Sequence, residues 1–380
     1  MTTPHICETC NKEFKNARGL TSHKSRKTPC KNIQAGGIQS NSGELCSKEF
    51  GLIKPFLKWV GGKTQIIDQV INLFPPEFTN YYEPFLGGGS VLLAILSNPK
   101  IRIHGKIIAS DVNSNLIGLY LNVQSRVEEL IADVGTLVAE FAQCAKNAGH
   151  EVVGVRGFAE EISEVQRKES RKSNQGDQVN RKPANIKEAM TSQESYYFWI
   201  RSRFNAMSRN ERQSVKASAM LLFMNKTGFR GVYREGPHGI NVPFGNYKNP
   251  TILDAEHIRL VSRIIQPVVF ICRDFREALS GVEPGDFVYM DPPYAPENEK
   301  SFVSYTAYGF DKDTHTALFA ICNELAAKNI GMLMSNADLG IVREAFIDET
   351  KYEVRTISCR RAINSTNPEA RTNEVLIRSL

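Results

Sequence analysis

Residues 286–302 read DFVYMDPPYAPENEKSF, and they fix the kind of fold to expect. An apolar run, Phe287 to Met290, stops on Asp291-Pro292-Pro293-Tyr294. Each proline lacks a backbone donor and has a fixed φ, so the pair cannot continue a sheet ladder. The strand must end here, leaving a carboxylate and a rigid rim beyond the sheet edge. In open α/β sheets ligands bind beyond the carboxyl ends of the strands. Asp291, Pro292 and Tyr294 are therefore the first candidate site.

Working outward, the pattern predicts strands over 80–85, 106–110, 267–272, 286–290, 330–335, 352–358 and 373–379. Helices are predicted over 89–96, 114–123 and 313–328, and near 339–347. This alternation is that of a doubly wound sheet with helices on both faces. The middle of the chain breaks the rhythm. Residues 195–223 read as helical, and NKTGFRGVYREGPHGINVPFGNYKNP suits a hairpin or loop. Residues 160–194 are charged and poor in aromatics, a composition that favours disorder for part of the stretch.

Upstream, EPFLGGGSVL (83–92) is a strand, three glycines and a helix. Glycines there let the backbone approach a ligand that faces the helix N-terminus. The spacing is not GxGxxG, and no Walker lysine-serine pair follows, which disfavours a nucleoside triphosphate. Asp111 ends the next strand, where an acid in a Rossmann-like fold accepts from ribose hydroxyls. Glycine loop and acid together point to an adenosine-containing ligand. FLKWVGGKTQII (56–67) adds two lysines, a tryptophan and a glycine pair ahead of a helix.

The chemistry of Asp291-Pro292-Pro293-Tyr294 is specific. An amino group conjugated to a base ring is a poor nucleophile, because its lone pair is delocalised. The Asp291 carboxylate and the Pro292 carbonyl could accept its two hydrogens and favour a pyramidal nitrogen. Tyr294 offers a face on which an extruded base can stack.

The motifs FLKWVGGK, EPFLGGG, SD, DPPY and RTNEVLI, in that order, resemble the Dam-type adenine-specific DNA methyltransferases of the α group. The likeness covers roughly 54–125 and 195–380. It implies a Rossmann-like α/β sheet with an inserted, mainly helical DNA-recognition domain and hairpin. It also implies N6 methylation of adenine in duplex DNA by base flipping, at GATC or a related site, with S-adenosylmethionine as cofactor. On this resemblance Trp59, Lys63, Phe85, Gly87 and Gly89 line the cofactor pocket, and Asp111 holds the ribose. Asp274 and Phe275 flank the cofactor's adenine, and Asp291 meets both cofactor and target. Lys58, Phe229, Arg230, Val232 and Arg234 would contact DNA, with Phe229 as a wedge and Arg234 reading a guanine. The chain departs from the family at Phe229, often Tyr, at Arg230, usually smaller, and in a polar insertion of about 40 residues. Two other readings compete: a zinc-finger DNA-binding protein with an inactive methyltransferase-like domain, and a methyltransferase acting on RNA.

The N-terminal segment is separate and basic, with seven Lys/Arg against Glu8 and Glu13 in residues 1–32. Cys7-x2-Cys10-x12-His23, with Phe14 and Leu20 at core spacings, suits tetrahedral zinc. Cys30 would be the fourth ligand of a small ββα finger that folds only with its metal. HKSRKTPC resembles fingers common in giant DNA viruses.

The expected organisation is a finger over 1–32 and a linker over 33–53. A catalytic domain follows over 54–123 and 266–380, and recognition occupies 124–265, with the polar insertion near 150–194. Neither a signal peptide nor a run of about 18 apolar residues is evident. The expected partner is double-stranded DNA, met inside the cell by a monomer with no membrane role. No residue points to or against a companion restriction endonuclease.

Overall fold

The computed structural model describes residues 5–6, 13–14, 51–144, 179–295, 310–360 and 371–380. The chain divides into two compact units, Met1–Cys46 and Ser47–Leu380. In the first, β1 (His5–Ile6) pairs antiparallel with β2 (Glu13–Phe14). Cys7, Cys10, His23 and Cys30 lie outside the described residues.

The second unit is built on a seven-stranded sheet. In chain order its strands are β4 (Tyr81–Glu83), β6 (Ile107–Asp111), β9 (Val268–Cys272), β10 (Phe287–Met290), β11 (Gly331–Ala337), β12 (Tyr352–Arg360) and β13 (Arg371–Ser379). They lie side by side in the order β12-β13-β11-β10-β4-β6-β9. The five from β11 to β9 run parallel. β13 is antiparallel to β11, and β12 is antiparallel to β13. A further parallel pair, β3 (Glu77–Phe78) with β5 (Arg102–Ile103), precedes the sheet strands on either side. The chain fills one half of the sheet from β4 and the other from β10. The switch point therefore falls between those two strands, where ligands bind in such folds.

Two-residue alternation buries both faces of the sheet. Tyr81, Phe287, Tyr289, Leu333 and Leu376 belong to one core. Tyr82, Val288, Met290, Met332, Met334 and Ile377 belong to the other. The first face is covered by α2 (Ser90–Leu96) and α3 (Ser114–Ser125), which follow α1 (Ile67–Ile71). The second is covered by α10 (Lys312–Ala327) and α11 (Gly340–Ala345). Asp286, 4% exposed, fixes the starts of the two central strands. Its Oδ1 accepts from the Asn80 backbone N at 3.1 Å and its side-chain amide at 2.7 Å, and its Oδ2 from Glu283 N at 3.0 Å. The register of β4 beside β10 follows from that lock.

The middle of the chain supplies α4 (Val127–Gln143), α5 (Ile186–Ala189), α6 (Gln193–Ala206), α7 (Val215–Thr227) and α8 (Ala255–Ile264). α7 carries apolar residues on every side, and all of it but Lys216 and Lys226 is buried. Phe141, Tyr196 and Phe223 join α4, α6 and α7, with ring centroids 5.3–6.2 Å apart. These helices share one apolar cluster with the first face of the sheet.

The single helical stretch expected over 195–223 is two helices. Ser214 starts the second, its hydroxyl accepting from Ala217 N at 3.2 Å, after a tight turn at Glu211–Gln213. Residues 150–178 of the polar insertion lie outside the described residues. Residues 179–194 are ordered: Ala189 is buried and Arg181 pairs with Glu194 at 2.8 Å. The expected hairpin is present as β7 (Glu235–Gly236) and β8 (Gly239–Ile240), closed by Pro237-His238.

Candidate active site

Glu83 ends β4, Asp111 ends β6 and Asp291 follows β10, so three carboxylates gather at the switch point. The loop Phe85–Gly89 crosses above them. Leu86 N donates to Ser110 O at 3.0 Å, and Gly87 N donates to Asp111 Oδ2 at 3.0 Å. Asp111 Oδ1 accepts from Asn113 N at 2.9 Å. Burial raises the Asp111 carboxyl, while these two amides oppose the shift. Gly89 adopts φ +66°, and a Cβ there would lie 2.6 Å from the Tyr120 hydroxyl. That hydroxyl is buried and has no hydrogen-bond partner among the described residues.

Lys63 is the centre of the site. It lies at the start of a short turn (Lys63–Gln65), where its backbone N donates to Ser90 Oγ at 3.0 Å. Its side chain is only 3% exposed, and its Nζ stands 2.7 Å from Asp291 Oδ1. The same Nζ donates to Gly61 O at 2.7 Å and lies 4.9 Å from the centre of the Tyr294 ring. Burial raises the Asp291 carboxyl, and the neighbouring ammonium pulls it back down.

Glu83, 2% exposed, accepts from the Tyr81 hydroxyl at 2.7 Å. Burial, added to repulsion from Asp291 and only partly offset by Tyr81, pushes its carboxyl up to about 8. It stands first in the EPFLGGG motif, ahead of Phe85, Gly87 and Gly89, and nothing in the sequence marks it as buried.

Trp59 lies over the loop: a Cβ on Gly87 would meet its ring at 3.0 Å, and one on Gly88 its Cβ at 2.8 Å. Its other contact is Tyr233, stacked at 5.6 Å and 25°. The Tyr233 hydroxyl accepts from Asn115 Nδ2 at 2.9 Å and donates to Glu235 at 2.7 Å. Phe85 packs on Phe275 at 5.4 Å and on Phe310 at 5.9 Å. Asp274 and Phe275 open α9 (Phe275–Ala278) next to Asp111, since Arg273 N donates to Asp111 O at 3.2 Å. Phe275 is 2% exposed and serves as a core ring, and Asp274 caps α9 while pairing with Arg276 at 3.1 Å.

The residues expected to meet DNA form a second group. Lys58 is held by Asn225, whose Oδ1 accepts from Lys58 N at 2.9 Å and whose Nδ2 donates to Lys58 O at 2.7 Å. Gly231, φ +65°, passes so close that a Cβ would fall 2.4 Å from that of Lys58. Lys58 Nζ lies 4.4 Å from the Tyr247 ring, and the Tyr247 hydroxyl accepts from Arg230 N at 2.7 Å. Phe229 is 48% exposed, an uncommon state for so large an apolar ring. Val232 is half-buried beside it. Arg234 is exposed, its Nε donating to Asn241 Oδ1 at 2.6 Å. Among the described residues no group of three or more His, Cys, Asp or Glu side chains could hold a metal ion. No described helix is long and apolar enough to cross a membrane.

The chain is similar to known proteins over most of its length. Residues 59–150 and 161–358 match the family described as D12 class N6 adenine-specific DNA methyltransferase. The type II methyltransferase M.MjaIII of Methanocaldococcus jannaschii is 32% identical over 319 residues, 81% of this chain and 94% of that protein. The type II methyltransferase M1.LlaDCHI of Lactococcus lactis is 26% identical over 318 residues, 83% of this chain and 92% of its own. The DNA adenine methylase of Escherichia coli K12 is 26% identical over 314 residues, 82% of this chain and 90% of its own.

Glu83 gives a pH prediction. With its pKa at about 8 when folded and near 4.5 when unfolded, its contribution is complete below pH 4.5 and is lost as pH rises to about 8. Each pH unit in that window costs about 1.4 kcal/mol. Glu83→Gln keeps an acceptor for Tyr81 but has no proton to release. In the cofactor-free protein its stability relative to wild type should therefore climb between pH 5 and pH 8, as read by denaturant unfolding. A difference independent of pH would mean that Glu83 is ionised in the fold.

Proposed function

This chain belongs to the D12 class N6 adenine-specific DNA methyltransferases, and on that premise we propose how its own residues carry the reaction. The protein methylates adenine in DNA. The observation that carries the residue assignment is Asp291, held by buried Lys63 at the switch point, beside Tyr294 and opposite the glycine loop.

The residues at the switch point fit S-adenosylmethionine. Gly87 and Gly89 leave a backbone cradle that side chains would fill, and the buried Tyr120 hydroxyl lacks a partner among the described residues. Asp111 would accept from ribose hydroxyls, and Glu83, protonated in the cofactor-free fold, would ionise against an ammonium. Trp59, Lys63, Phe85, Asp274 and Phe275 would complete the pocket. When bound, the cofactor supplies an electrophilic methyl group.

The chain's task is to present the adenine amino nitrogen. The base leaves the duplex and stacks on Tyr294. Asp291 and the Pro292 carbonyl accept its two amino hydrogens, drawing the lone pair out of conjugation with the ring. Lys63 occupies only Oδ1 of Asp291, which leaves Oδ2 for the amino group. The proton released from the amino nitrogen is accepted at that carboxylate. Asp291→Ala should lower methyl transfer by about 10²–10³-fold while cofactor binding persists. Near-normal turnover in that variant would refute the assignment.

Residues 124–265 would be the target-recognition region, with GATC or a related site as target and Phe229 as the wedge in the duplex. Lys58 and Val232 would lie against the first bases. Arg234 would fork onto a guanine edge, a contact worth about 1–3 kcal/mol of discrimination. Arg230, beside the wedge, would meet a phosphate. On a randomised DNA library, Arg234→Ala should relax selectivity at one guanine position. Arg230→Ala should weaken methylation evenly across sequences. The reverse outcome would invert the two roles.

The N-terminal unit would be a Cys-Cys-His-Cys zinc finger using Cys7, Cys10, His23 and Cys30. Its support is the ligand spacing, together with the β1–β2 pairing that brackets Cys7 and Cys10 in sequence. The purified full chain should contain one zinc per molecule by elemental analysis. Cys7→Ser should release it without loss of cofactor binding, and a protein free of zinc as isolated from zinc-supplemented cells would refute the finger.

A further inference from the structure

The terminal stretch RTNEVLI has no place in the mechanism above, although it forms β13. Being antiparallel, β13 begins where β10 and β11 end, so its first residues lie beside the site. Glu374 pairs with Ala337 on one side and Ile357 on the other. Strand alternation places it on the face that also carries Leu376, Ile357 and Tyr289. There the Tyr294 hydroxyl donates to Glu374 Oε2 at 2.7 Å. Burial and the neighbouring Glu374 push the Cys359 thiol, on the edge strand, up to about 11.

The backbone of Tyr294 is already constrained at its other end. Pro292 and Pro293 fix two φ angles ahead of it. Behind it, Ala295 N donates to Asn336 Oδ1 at 3.3 Å, and Asn336 is fully buried. These restraints fix the Cα of Tyr294 and leave the ring free to turn about its two side-chain torsions. The hydroxyl bond to Glu374 anchors the far end of the ring and, because the phenolic O–H lies in the ring plane, favours one plane, while Lys63 Nζ stands 4.9 Å from the ring centre on one face.

We propose that Glu374 is a positioning residue for methyl transfer, holding the Tyr294 ring in the plane on which the extruded adenine stacks. The proposal rests on the reading of Tyr294 as the stacking face. A base stacked on a ring that turns freely samples many orientations, and only some of them bring the amino group to Asp291. Glu374 thus acts through Tyr294 and touches neither base nor cofactor.

The test uses the full-length protein and a duplex carrying its methylation site, with 2-aminopurine in place of the target adenine for the binding arm. Glu374→Ala should lower kcat by about tenfold, the scale of one hydrogen bond to a charged group, and leave the KM for cofactor unchanged. It should also alter the emission of the bound 2-aminopurine. Glu374→Gln, which still offers an oxygen to the phenol, should restore both. Tyr294→Phe deletes the same bond from the other side and should reproduce the loss. Adding Glu374→Ala to Tyr294→Phe should then cost nothing more. The proposal falls if Gln behaves as Ala does, if Tyr294→Phe retains full turnover, or if the two losses multiply. Failure of the underlying reading looks different: Tyr294→Ala would then leave both kcat and the emission of bound 2-aminopurine unchanged.

Discussion

The ammonium of Lys63, buried against Asp291, constrains the site more than any other contact. A charge removed from water must be paired and fully hydrogen-bonded, and Lys63 meets that demand with one carboxylate, one carbonyl and one aromatic face. Removing one partner of such a pair strands the other, typically at about 3–5 kcal/mol. Its geometry is therefore not free to drift. Lys63 is tied through its backbone to Ser90 at the head of α2, and Asp291 is fixed by β10. One ion pair thus joins the turn before α1, the glycine loop and the Asp-Pro-Pro-Tyr rim.

The same chain segment reaches further. Within six residues, Lys58 lies against Gly231 ahead of the hairpin, Trp59 lies over Gly87 and Gly88, and Lys63 reaches Asp291. The hairpin and the glycine loop consequently share side chains. Tyr233 stacks on Trp59 and bonds to Asn115 on α3 and to Glu235 on the hairpin, which is itself paired with Arg212 at 2.9 Å. Continuous packing of this kind explains why the middle of the chain has no core of its own.

The antiparallel end of the sheet has a distinct role. Parallel strands send all their carboxyl ends to one edge, so each contributes a terminal residue to the site and then leaves it. A strand running the other way enters from that edge with its first residues. β13 does so, and a glutamate near the end of the chain comes to lie against a tyrosine eighty residues earlier.

The sequence by itself determined the sheet, because period-two apolar runs closed by prolines or glycines leave few other folds. It also determined the position of Asp291, Asp111 and the glycine loop, since each ends a strand and must emerge at the same edge. The family was legible for the same reason: its motifs are the strand ends. Tertiary structure alone decided the rest. Lys63 and Asp291, both assigned to the cofactor pocket by motif, meet as an ion pair only in the folded chain. Phe275 is 2% exposed and packs on Phe85. Glu83 has a raised pKa only because its surroundings exclude water. Glu374 meets Tyr294 only because β13 runs antiparallel. Local pattern fixes where a strand stops, but burial and register, which bring distant residues together, exist only once the chain has folded.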